Sequence, residues 1–377
     1  MVGGLLGDAL MEVAFRVDAS TLIGSGHVMR CLTLAEVLAD AGARCYFVMR
    51  EKSGSLEKVV RSRGHQVLML SSGESGKTTG PSESEPTHAN WLGVSWETDA
   101  SETVLALKGI ELDWLVVDHY ALDCRWESQV GECSKRLMVI DDLADRTHHC
   151  DLLLDQNLGR EPHDYAGLVP DYTKRLIGSD YALLRPEFAR ARALSVEERQ
   201  TREPGSILVS MGGVDAANVT GDVLRVLDTI EVVASCRVTV VLGAACPHID
   251  EVIEQADSMH LETRIVVNAT NMAELMGEAD LAIGAAGGSA WERCCLGLPT
   301  LLVVMAENQL PGAEALERAG ASISLGWPDA IEGTLPRAVL EVMAPERLLE
   351  MSQNSAAICD GLGAQRVADA LEEVSDE

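Results

Sequence analysis

Short apolar runs alternate with amphipathic stretches along the chain from Met11 onward. The stretch from Gly26 to Ala41 has one apolar stripe at helical spacing, formed by Val28, Cys31, Leu32, Ala35, Leu38 and Ala39. Strand-like runs occur before and after it, at Glu12–Val17, Arg44–Met49, Gln66–Leu70, Trp114–Asp118 and Leu137–Ile140. Strands that alternate with helices predict a parallel sheet covered by helices.

A second series of the same kind follows in the other half of the chain. Its predicted strands are Ile207–Met211, Val238–Leu242, Arg264–Val267, Leu281–Ile283 and Thr300–Val304. A helix is predicted near Asn218–Ile230, and the stretch from Pro345 to Val374 is also predicted to be helical. The pattern therefore predicts an α/β protein with two parallel-sheet domains.

Changes in composition suggest where these domains begin and end. We predict an N-terminal extension, a first Rossmann-like domain, a linker, a second Rossmann-like domain and a C-terminal helical segment, at residues 1–10, 11–190, 191–205, 206–345 and 346–377. The predicted linker is polar and charged and ends in Glu203-Pro204-Gly205. With this boundary, the working chain is expected to start near Met11.

Residues 71–89 interrupt the pattern of the first domain. The segment is rich in Ser, Gly, Glu, Pro and Thr, which predicts a mobile surface insert. Its Gly76-Lys77-Thr78 resembles the end of a phosphate-binding P-loop. That motif requires glycine at the position of Ser71, and prolines follow where the motif needs a helix, so a P-loop is not predicted.

Composition narrows the possible partners. The 377 residues carry a formal net charge of −29, which disfavours nucleic acid and anionic lipid as partners. No apolar run approaches the roughly 18 residues of a transmembrane helix, so membrane insertion is not predicted. The ten cysteines are scattered without a C-x-x-C motif, which predicts reduced thiols in the cytoplasm and no structural zinc.

The first candidate site follows the first predicted strand. Gly24 and Gly26 allow the backbone to turn tightly and approach a ligand, and the helix that follows can present its N-terminus to an anion. His27 stands at the helix start, where the helix dipole disfavours an imidazolium, and a neutral imidazole can act as a general base. The alternative is that His27 only caps the helix.

Polar residues also follow two later strands. Asp118-His119-Tyr120 ends one strand, at the edge where open α/β sheets bind ligands, although a solvated strand end would look the same. Asp141-Asp142 closes the next strand, and His148-His149 follow it. These residues lack the spacing of a metal site, so no metal is predicted.

Two glycine turns in the second half suit a nucleotide. Gly212 and Gly213 follow one strand, and Gly287, Gly288 and Ser289 follow another, each before a predicted helix. Ser289 can cap its helix. Glu292, one turn further on, can accept hydrogen bonds from both ribose hydroxyls of a nucleotide. The alternative for Glu292 is an exposed glutamate in a capping box.

Together these features resemble nucleotide-sugar enzymes of GT-B architecture, such as the N-acetylglucosaminyltransferase of peptidoglycan synthesis. A closer resemblance is to the UDP-2,4-diacetamido-2,4,6-trideoxy-β-L-altropyranose hydrolase family of pseudaminic acid biosynthesis. The motifs that carry it are Arg16-Val17-Asp18-Ala19-Ser20, Ile23-Gly24-x-Gly26-His27-x-x-Arg30, Asp118-His119-Tyr120, His148-His149-Cys150-Asp151, Tyr181-Ala182-Leu183 and Glu307-Asn308-Gln309. Spore-coat polysaccharide proteins share much of this pattern.

The resemblance implies a fold and an activity. It implies two Rossmann-like domains facing a central cleft, and release of UDP from the UDP-sugar by water attack at the anomeric carbon. It implies a small-molecule substrate, no cofactor and no metal. The sequence does not give the oligomeric state, and a monomer is favoured. A GT-B glycosyltransferase and a nucleotide-sugar-binding protein without catalysis remain alternatives.

The resemblance also implies roles for individual residues. The catalytic residues are His27, Tyr120 and Asn308. The substrate-binding residues are Asp18, Gly24, Gly26, Arg30, Asp118, His119 and Gln309. The nucleotide-binding residues are Gly212, Gly213, Gly287, Gly288, Ser289 and Glu292.

Overall fold

The computed structural model of the chain describes residues 10–73 and 85–376. Residues 1–9 of the predicted extension at 1–10, and most of the predicted insert with Gly76-Lys77-Thr78, therefore lie outside the described residues. The chain divides into two compact units. Unit 1 contains the described residues up to Asp155, Glu161–Ile177 and the stretch from Ala364, and unit 2 contains Gln156–Arg160 and Gly178–Gly363.

Each unit is built on one parallel sheet. In unit 1 the strands are β1 Glu12–Val17, β2 Arg44–Arg50, β3 Gln66–Leu70, β4 Leu112–Asp118, β5 Ser134–Ile140, β6 Leu152–Asp155 and β7 Lys174–Ile177, in the order β3-β2-β1-β4-β5-β6-β7. In unit 2 they are β8 Ser206–Ser210, β9 Arg237–Leu242, β10 Glu262–Val267, β11 Leu281–Ala285, β12 Thr300–Val303 and β13 Ser322–Gly326, in the order β10-β9-β8-β11-β12-β13. This confirms the predicted α/β fold with two parallel sheets.

Helices connect most of these strands. They are α1 Gly26–Asp40, α2 Glu57–Ser62, α3 Trp96–Ala106, α4 Cys124–Val130, α5 Pro186–Glu198, α6 Val219–Leu227, α7 Ile249–Ser258, α8 Met272–Glu278, α9 Ser289–Cys295, α10 Leu310–Arg318, α11 Ile331–Val342, α12 Pro345–Ile358 and α13 Gly363–Asp376. Within the described ranges, no helix is long and apolar enough to cross a membrane.

The strand orders create one reversal point in each sheet. From β1 the chain continues to β2 on one side, whereas from β4 it continues to β5 on the other. The same reversal lies between β8 and β11 in unit 2. Open α/β sheets bind ligands beyond the carboxyl ends of the strands at such points, because the two neighbouring connections leave a crevice there.

The sheet of unit 2 is buried on both faces. Ile207 and Val209 of β8 pack into one apolar cluster, and Leu208 between them packs into another. Successive side chains of a strand point to opposite faces, so helices on both sides must cover this sheet. This is why the central strands β8, β11 and β12 are mostly apolar in the sequence.

A buried ion network lies at the carboxyl ends of β1 and β2 in unit 1. Arg16 pairs with Asp18 at 2.8 Å and with Asp99 of α3 at 2.6 Å, and Arg50 pairs with Asp99 at 2.7 Å. Trp126 of α4 donates to the same Asp99 carboxylate. These partners come from four elements, so the network fixes two helices to the strands whose loops carry the first candidate site.

The first half of the predicted linker at 191–205 is helical rather than an open linker. Residues up to Glu198 belong to α5, which lies in unit 2. Arg192 donates to the carbonyl oxygens of Cys295 and Cys359, and Ser195 donates to that of Leu296. The polar side chains that suggested a solvated linker therefore satisfy carbonyl groups at the ends of packed segments.

The predicted C-terminal segment at 346–377 is divided between the units. α12 belongs to unit 2, whereas nearly all of α13 belongs to unit 1. Trp114 of β4 donates to the carbonyl oxygen of Leu371 and to Ser375, and Lys174 pairs with Glu373 at 2.8 Å. Helical periodicity predicts that these residues form a helix, but it does not indicate which sheet the helix covers.

Candidate functional site

Four of the residues predicted for the first site lie together in unit 1. His27 is the second residue of α1, and Arg30 lies one turn further along the same face. Asp118 is the last residue of β4, and its register partner on β1 is Val17, which leads into the loop before α1. Tyr120 follows two residues after Asp118. We refer to His27, Arg30, Asp118, Tyr120 and Asp142 as the His27 cluster.

Asp118 fixes the orientation of the His27 ring. Nδ1 of His27 lies 2.6 Å from Oδ1 of Asp118. Because a carboxylate only accepts hydrogen bonds, this contact assigns the proton of the neutral imidazole to Nδ1. Nε2, which forms no hydrogen bond in the described part of the chain, is then the nitrogen that can accept a proton. A carboxylate-oriented imidazole is the usual arrangement of a general base.

Arg30 links the two carboxylates of the His27 cluster. It donates to both oxygens of Asp118, at 2.6 and 2.7 Å, and to Asp142 at 2.6 Å. Burial by itself would raise the pKa of Asp118, but the charges of Arg30 and His27 outweigh it and hold the pKa well below its ordinary value. Asp118 is therefore a fixed anion that stabilises an imidazolium at His27.

Tyr120 contacts the His27 ring and remains protonated. The two rings meet edge to face with centroids 4.5 Å apart. The Tyr120 hydroxyl donates to Asp142 at 2.7 Å, and burial together with that carboxylate raises its pKa well above the ordinary value. Tyr120 therefore acts as a packing and hydrogen-bonding group rather than as a base.

Asp142, Trp91 and His88 were not predicted from the sequence to lie at this site. Asp142 was considered only as a metal ligand, whereas it binds Arg30 and Tyr120. Trp91 stacks on Tyr120 with ring centroids 5.6 Å apart, and His88 lies 4.4 Å from Trp91. The position of Asp142 directly after β5 was the available signal, since neighbouring parallel strands end at the same edge. The aromatic pair gave no such signal.

Asp18 and His119 lie below the surface of this edge. Asp18 is 1% exposed and accepts from Arg16 and from the backbone N–H of Arg50. His119 is 4% exposed, its Nδ1 accepts from the N–H of Ala121, and burial lowers its pKa. Both side chains serve the buried ion network, so we do not include them among the proposed substrate contacts.

The loop that contains Gly24 and Gly26 leads directly to His27. Gly24 adopts φ +81°, a conformation that favours glycine, and its N–H donates to the carbonyl oxygen of Ser20. A Cβ at Gly24 or Gly26 would meet open space. The loop is therefore a tight turn whose outer side is free, as the sequence suggested.

The Gly212-Gly213 turn of unit 2 differs from the prediction. Asp215 accepts from the N–H groups of Val219 and Thr220, both at 2.9 Å, and Asn218 accepts from Gly221. The first N–H groups of α6 are thus satisfied by the chain itself. A phosphate at this turn would compete with a carboxylate, so the α6 N-terminus is not the anion site that the glycines suggested.

The second glycine turn follows β11 at the reversal point of unit 2. We refer to residues 286–288 as the 286–288 loop. No side chain caps α9, and Ser289 is its first residue rather than its cap. The Ser289 hydroxyl instead accepts from Arg293 at 3.1 Å. The N–H groups at this turn are therefore not occupied by a side-chain cap.

Asn308 and Gln309 belong to the same region of unit 2. They form part of a short 3₁₀ turn, Glu307–Gln309, in which Asn308 is exposed. Nε2 of Gln309 lies 3.4 Å from the position that a Cβ would take at Gly287. Gln309 also accepts from the N–H of Met305 at 3.0 Å, which fixes its amide beside the glycine turn.

Glu292 is partly buried and pairs with Arg185. Its carboxylate lies 3.4 Å from the guanidinium of Arg185, which also pairs with Glu187 at 3.1 Å. Burial raises the pKa of Glu292, and Arg185 opposes the effect. Glu292 is therefore not the fully exposed glutamate of the alternative interpretation, and it can still accept hydrogen bonds from a ligand.

The residues considered for a metal site have other partners. Asp141 binds Arg146 at 2.8 Å, and His148 binds Glu127 at 2.6 Å. Across residues 10–73 and 85–376, no group of three or more His, Cys, Asp and Glu side chains is arranged to hold a metal ion.

Comparison with known proteins agrees with these features. Residues 225–374 match the glycosyltransferase family 28 C-terminal domain. The chain is 25% identical over 315 residues to the UDP-2,4-diacetamido-2,4,6-trideoxy-β-L-altropyranose hydrolase of Campylobacter jejuni, covering 83% of this chain and 98% of that protein. It is 29% identical over 211 residues to the spore coat polysaccharide biosynthesis protein SpsG of Bacillus subtilis, covering 55% of this chain and 61% of SpsG.

Solved structures show the same architecture. The crystal structure of Acinetobacter baumannii MurG superposes with a TM-score of 0.68 at 13% identity, covering 96% of this chain and 99% of that one. At this identity the likeness establishes the fold and not the activity. The protein therefore has the GT-B fold, resembles the UDP-2,4-diacetamido-2,4,6-trideoxy-β-L-altropyranose hydrolase family over most of its length, and carries a match to the glycosyltransferase family 28 C-terminal domain.

Proposed function

We propose that this protein is a UDP-sugar hydrolase that releases UDP from UDP-2,4-diacetamido-2,4,6-trideoxy-β-L-altropyranose, in the biosynthesis of pseudaminic acid, a nonulosonic acid. The observation that carries the proposal is the His27–Asp118 pair at the reversal point of the unit 1 sheet, with Nε2 able to accept a proton. The similarity to the hydrolase of Campylobacter jejuni, which spans 98% of that protein, supports the substrate.

The reaction needs one base in this proposal. Water attacks the anomeric carbon, His27 takes its proton at Nε2, and the bond from that carbon to the diphosphate oxygen breaks with its electron pair going to UDP. Asp118 stabilises the imidazolium that forms. UDP leaves as a stable anion at neutral pH, so the step needs no strong general acid. Tyr120 and Asn308 are proposed to contact the sugar and the water.

The nucleotide is assigned to unit 2. The 286–288 loop and Ser289 are proposed to bind the diphosphate, with Gln309 beside Gly287. Glu292 is proposed to accept hydrogen bonds from the ribose hydroxyls. Gly212 and Gly213 stay in the proposal only as backbone close to the phosphates, because Asp215 caps the adjacent helix. No metal takes part in this proposal.

A GT-B glycosyltransferase is the second candidate, favoured by the family 28 match at residues 225–374. The two candidates differ in the acceptor of the sugar. The hydrolase transfers it to water, whereas the transferase needs a second sugar or lipid acceptor. A protein that binds UDP-sugars without turnover is the third.

Incubation of the full chain with a panel of UDP-sugars separates these candidates. We expect UDP release without an acceptor, fastest for the 2,4-diacetamido-2,4,6-trideoxy sugar, and unchanged by excess EDTA. UDP release can be followed by a coupled enzyme assay or by chromatography. Release that requires an added acceptor would identify a transferase, and UDP binding without release would identify a non-catalytic protein.

Glu292→Ala should weaken UDP binding by about 1.5–3 kcal/mol, the contribution of hydrogen bonds to a charged group. The binding of uridine should weaken by the same amount, because the proposed contact of Glu292 is to the ribose. Calorimetry can measure both affinities. Glu187→Ala is the matched control, since Glu187 pairs with the same Arg185 but has no proposed ligand contact. Equal UDP affinities of the two variants would remove Glu292 from the site.

A further inference from the structure

Arg293 bridges the two ends of the 286–288 loop from the interior of unit 2. Its guanidinium donates to the carbonyl oxygen of Ala285 at 2.7 Å and to the hydroxyl of Ser289 at 3.1 Å. These two residues flank the loop directly. The side chain is only 2% exposed, so the bridge is made beneath the protein surface.

The fold keeps space for this guanidinium at the reversal point of the sheet. A Cβ at Gly284 of β11 would lie 2.9 Å from a terminal nitrogen of Arg293 and 2.8 Å from the carbonyl oxygen of Ser210 on β8. Contacts this short do not occur between real Cβ atoms and their neighbours. Glycine at this position therefore lets the guanidinium lie against β11, next to the end of β8.

Arg293 forms no ion pair within the described residues, although Glu292 lies near enough to raise its pKa slightly against the effect of burial. Nε of Arg293 is buried without a hydrogen bond. The adjacent Glu292 pairs with Arg185 instead. Burial lowers the pKa of Arg293 to about 10, which still leaves it protonated at neutral pH. A buried charge that is paired only in part is costly, so an anion bound at the adjacent loop would stabilise Arg293 further.

Arg199 shows how the same unit satisfies a similar group without a ligand. It is also buried, and burial likewise lowers its pKa to about 10. Its guanidinium donates to the carbonyl oxygens of Met276, Ala279 and Leu296. These carbonyls lie at the C-terminal ends of α8 and α9, where the helix dipoles place negative partial charge. Arg199 is thus fully satisfied by the fold, and Arg293 is not.

We propose that Arg293 is a positioning residue for the diphosphate of the bound nucleotide. Its buried charge stabilises the diphosphate in the 286–288 loop, and its two hydrogen bonds hold the ends of that loop. The guanidinium acts through the loop and needs no direct contact with the ligand. The inference rests on the proposed function, because it assumes that unit 2 binds a nucleoside diphosphate.

Arg293→Gln and Arg293→Lys separate the charge from the hydrogen bonds. We expect Arg293→Gln to lower UDP affinity by about tenfold or more, in line with a charge-assisted interaction, and to leave uridine affinity nearly unchanged. Arg293→Lys keeps the charge and should retain most of the preference for UDP over uridine. Calorimetry or ligand competition measures both affinities. Arg199→Gln is the matched control and should leave the ratio of UDP to uridine affinity unchanged.

Each outcome bears on a different claim. If the unsubstituted protein does not bind UDP, the proposed function fails, and this inference fails with it. Suppose instead that the unsubstituted protein binds UDP. The role of the charge is then overturned if Arg293→Gln keeps the ratio of UDP to uridine affinity, or if Arg293→Gln and Arg293→Lys reduce that ratio equally. If circular dichroism shows that neither variant folds, the inference is tested on the unsubstituted protein by competition. Inorganic pyrophosphate should displace UDP from it, and a lack of displacement would overturn the inference.

Discussion

His27→Phe is expected to lower kcat for UDP release by about 10²–10⁴-fold, the usual contribution of a general base. UDP affinity should change little, because the nucleotide contacts are proposed in unit 2. His27→Asn should behave alike. In the unsubstituted enzyme kcat should fall at acidic pH, since a protonated imidazole cannot accept a proton, and this dependence should disappear in both variants. Steady-state kinetics over a range of pH and UDP calorimetry measure these effects.

His65→Asn is the control for loss of a buried histidine in unit 1. His65 immediately precedes β3, so it lies at the amino edge of the sheet, opposite the edge that carries His27. It is 9% exposed, the same as His27. Its replacement should leave kcat nearly unchanged. Near-normal kcat in His27→Phe would end the assignment of His27 as the base, and loss of UDP binding would make it a phosphate ligand.

Asp118→Asn is expected to lower both stability and kcat. Its carboxylate is fully buried and pairs with Arg30 and His27, each at 2.6 Å. Removing this charge leaves Asp142 as the remaining carboxylate on Arg30, so the loss of unfolding free energy should be at most the roughly 3–5 kcal/mol of a broken buried pair. The His27 ring also loses the acceptor that orients it, so kcat should approach that of the His27 variants. Urea denaturation and steady-state kinetics measure the two losses separately.

Glu57→Gln provides the comparison for a surface pair of the same unit. Glu57 pairs with Arg61 at 2.8 Å on exposed positions of α2, so its loss should cost less than about 1 kcal/mol. The stabilisation by Asp118 should also depend on pH. Because the pKa of Asp118 is depressed in the folded state, its contribution to the free energy of unfolding is present above the ordinary pKa of aspartate and is lost as the pH falls below that value. If the Asp118→Asn protein were as stable as the Glu57→Gln protein, the ion pair of Asp118 with Arg30 would contribute nothing to stability.

Local sequence patterns determined most elements of the fold. β1 and β3 are found at the predicted bounds, and α1 ends one residue before the predicted end. Three strands, β6, β7 and β13, were not predicted. They are only four or five residues long, and periodicity over so few positions does not distinguish a strand from a loop. The turns at Gly212-Gly213 and Gly287-Gly288 were also predictable from local sequence, since each comes shortly after an apolar run.

The sequence also indicated which edge of each sheet carries the candidate site residues. Asp118 ends one predicted strand and His27 lies in the loop-helix segment after another, and parallel strands end at one edge. That the two side chains share a hydrogen bond depends on the pairing of β1 with β4, which places Val17 beside Asp118 across 101 positions of the chain. Strand order is set by the packing of helices on both faces, so no local pattern contains it.

The tertiary structure alone decided which polar groups remain available to a ligand. Asp215 accepts from the first N–H groups of α6, and Asp18 is paired with Arg16. Arg293 is buried beside the 286–288 loop with its Nε lacking a hydrogen-bond partner. In the sequence these residues are equivalent to many other aspartates and arginines. The difference arises because a buried charge or N–H group must find a partner in three dimensions, and the available partners are fixed only when distant segments pack together.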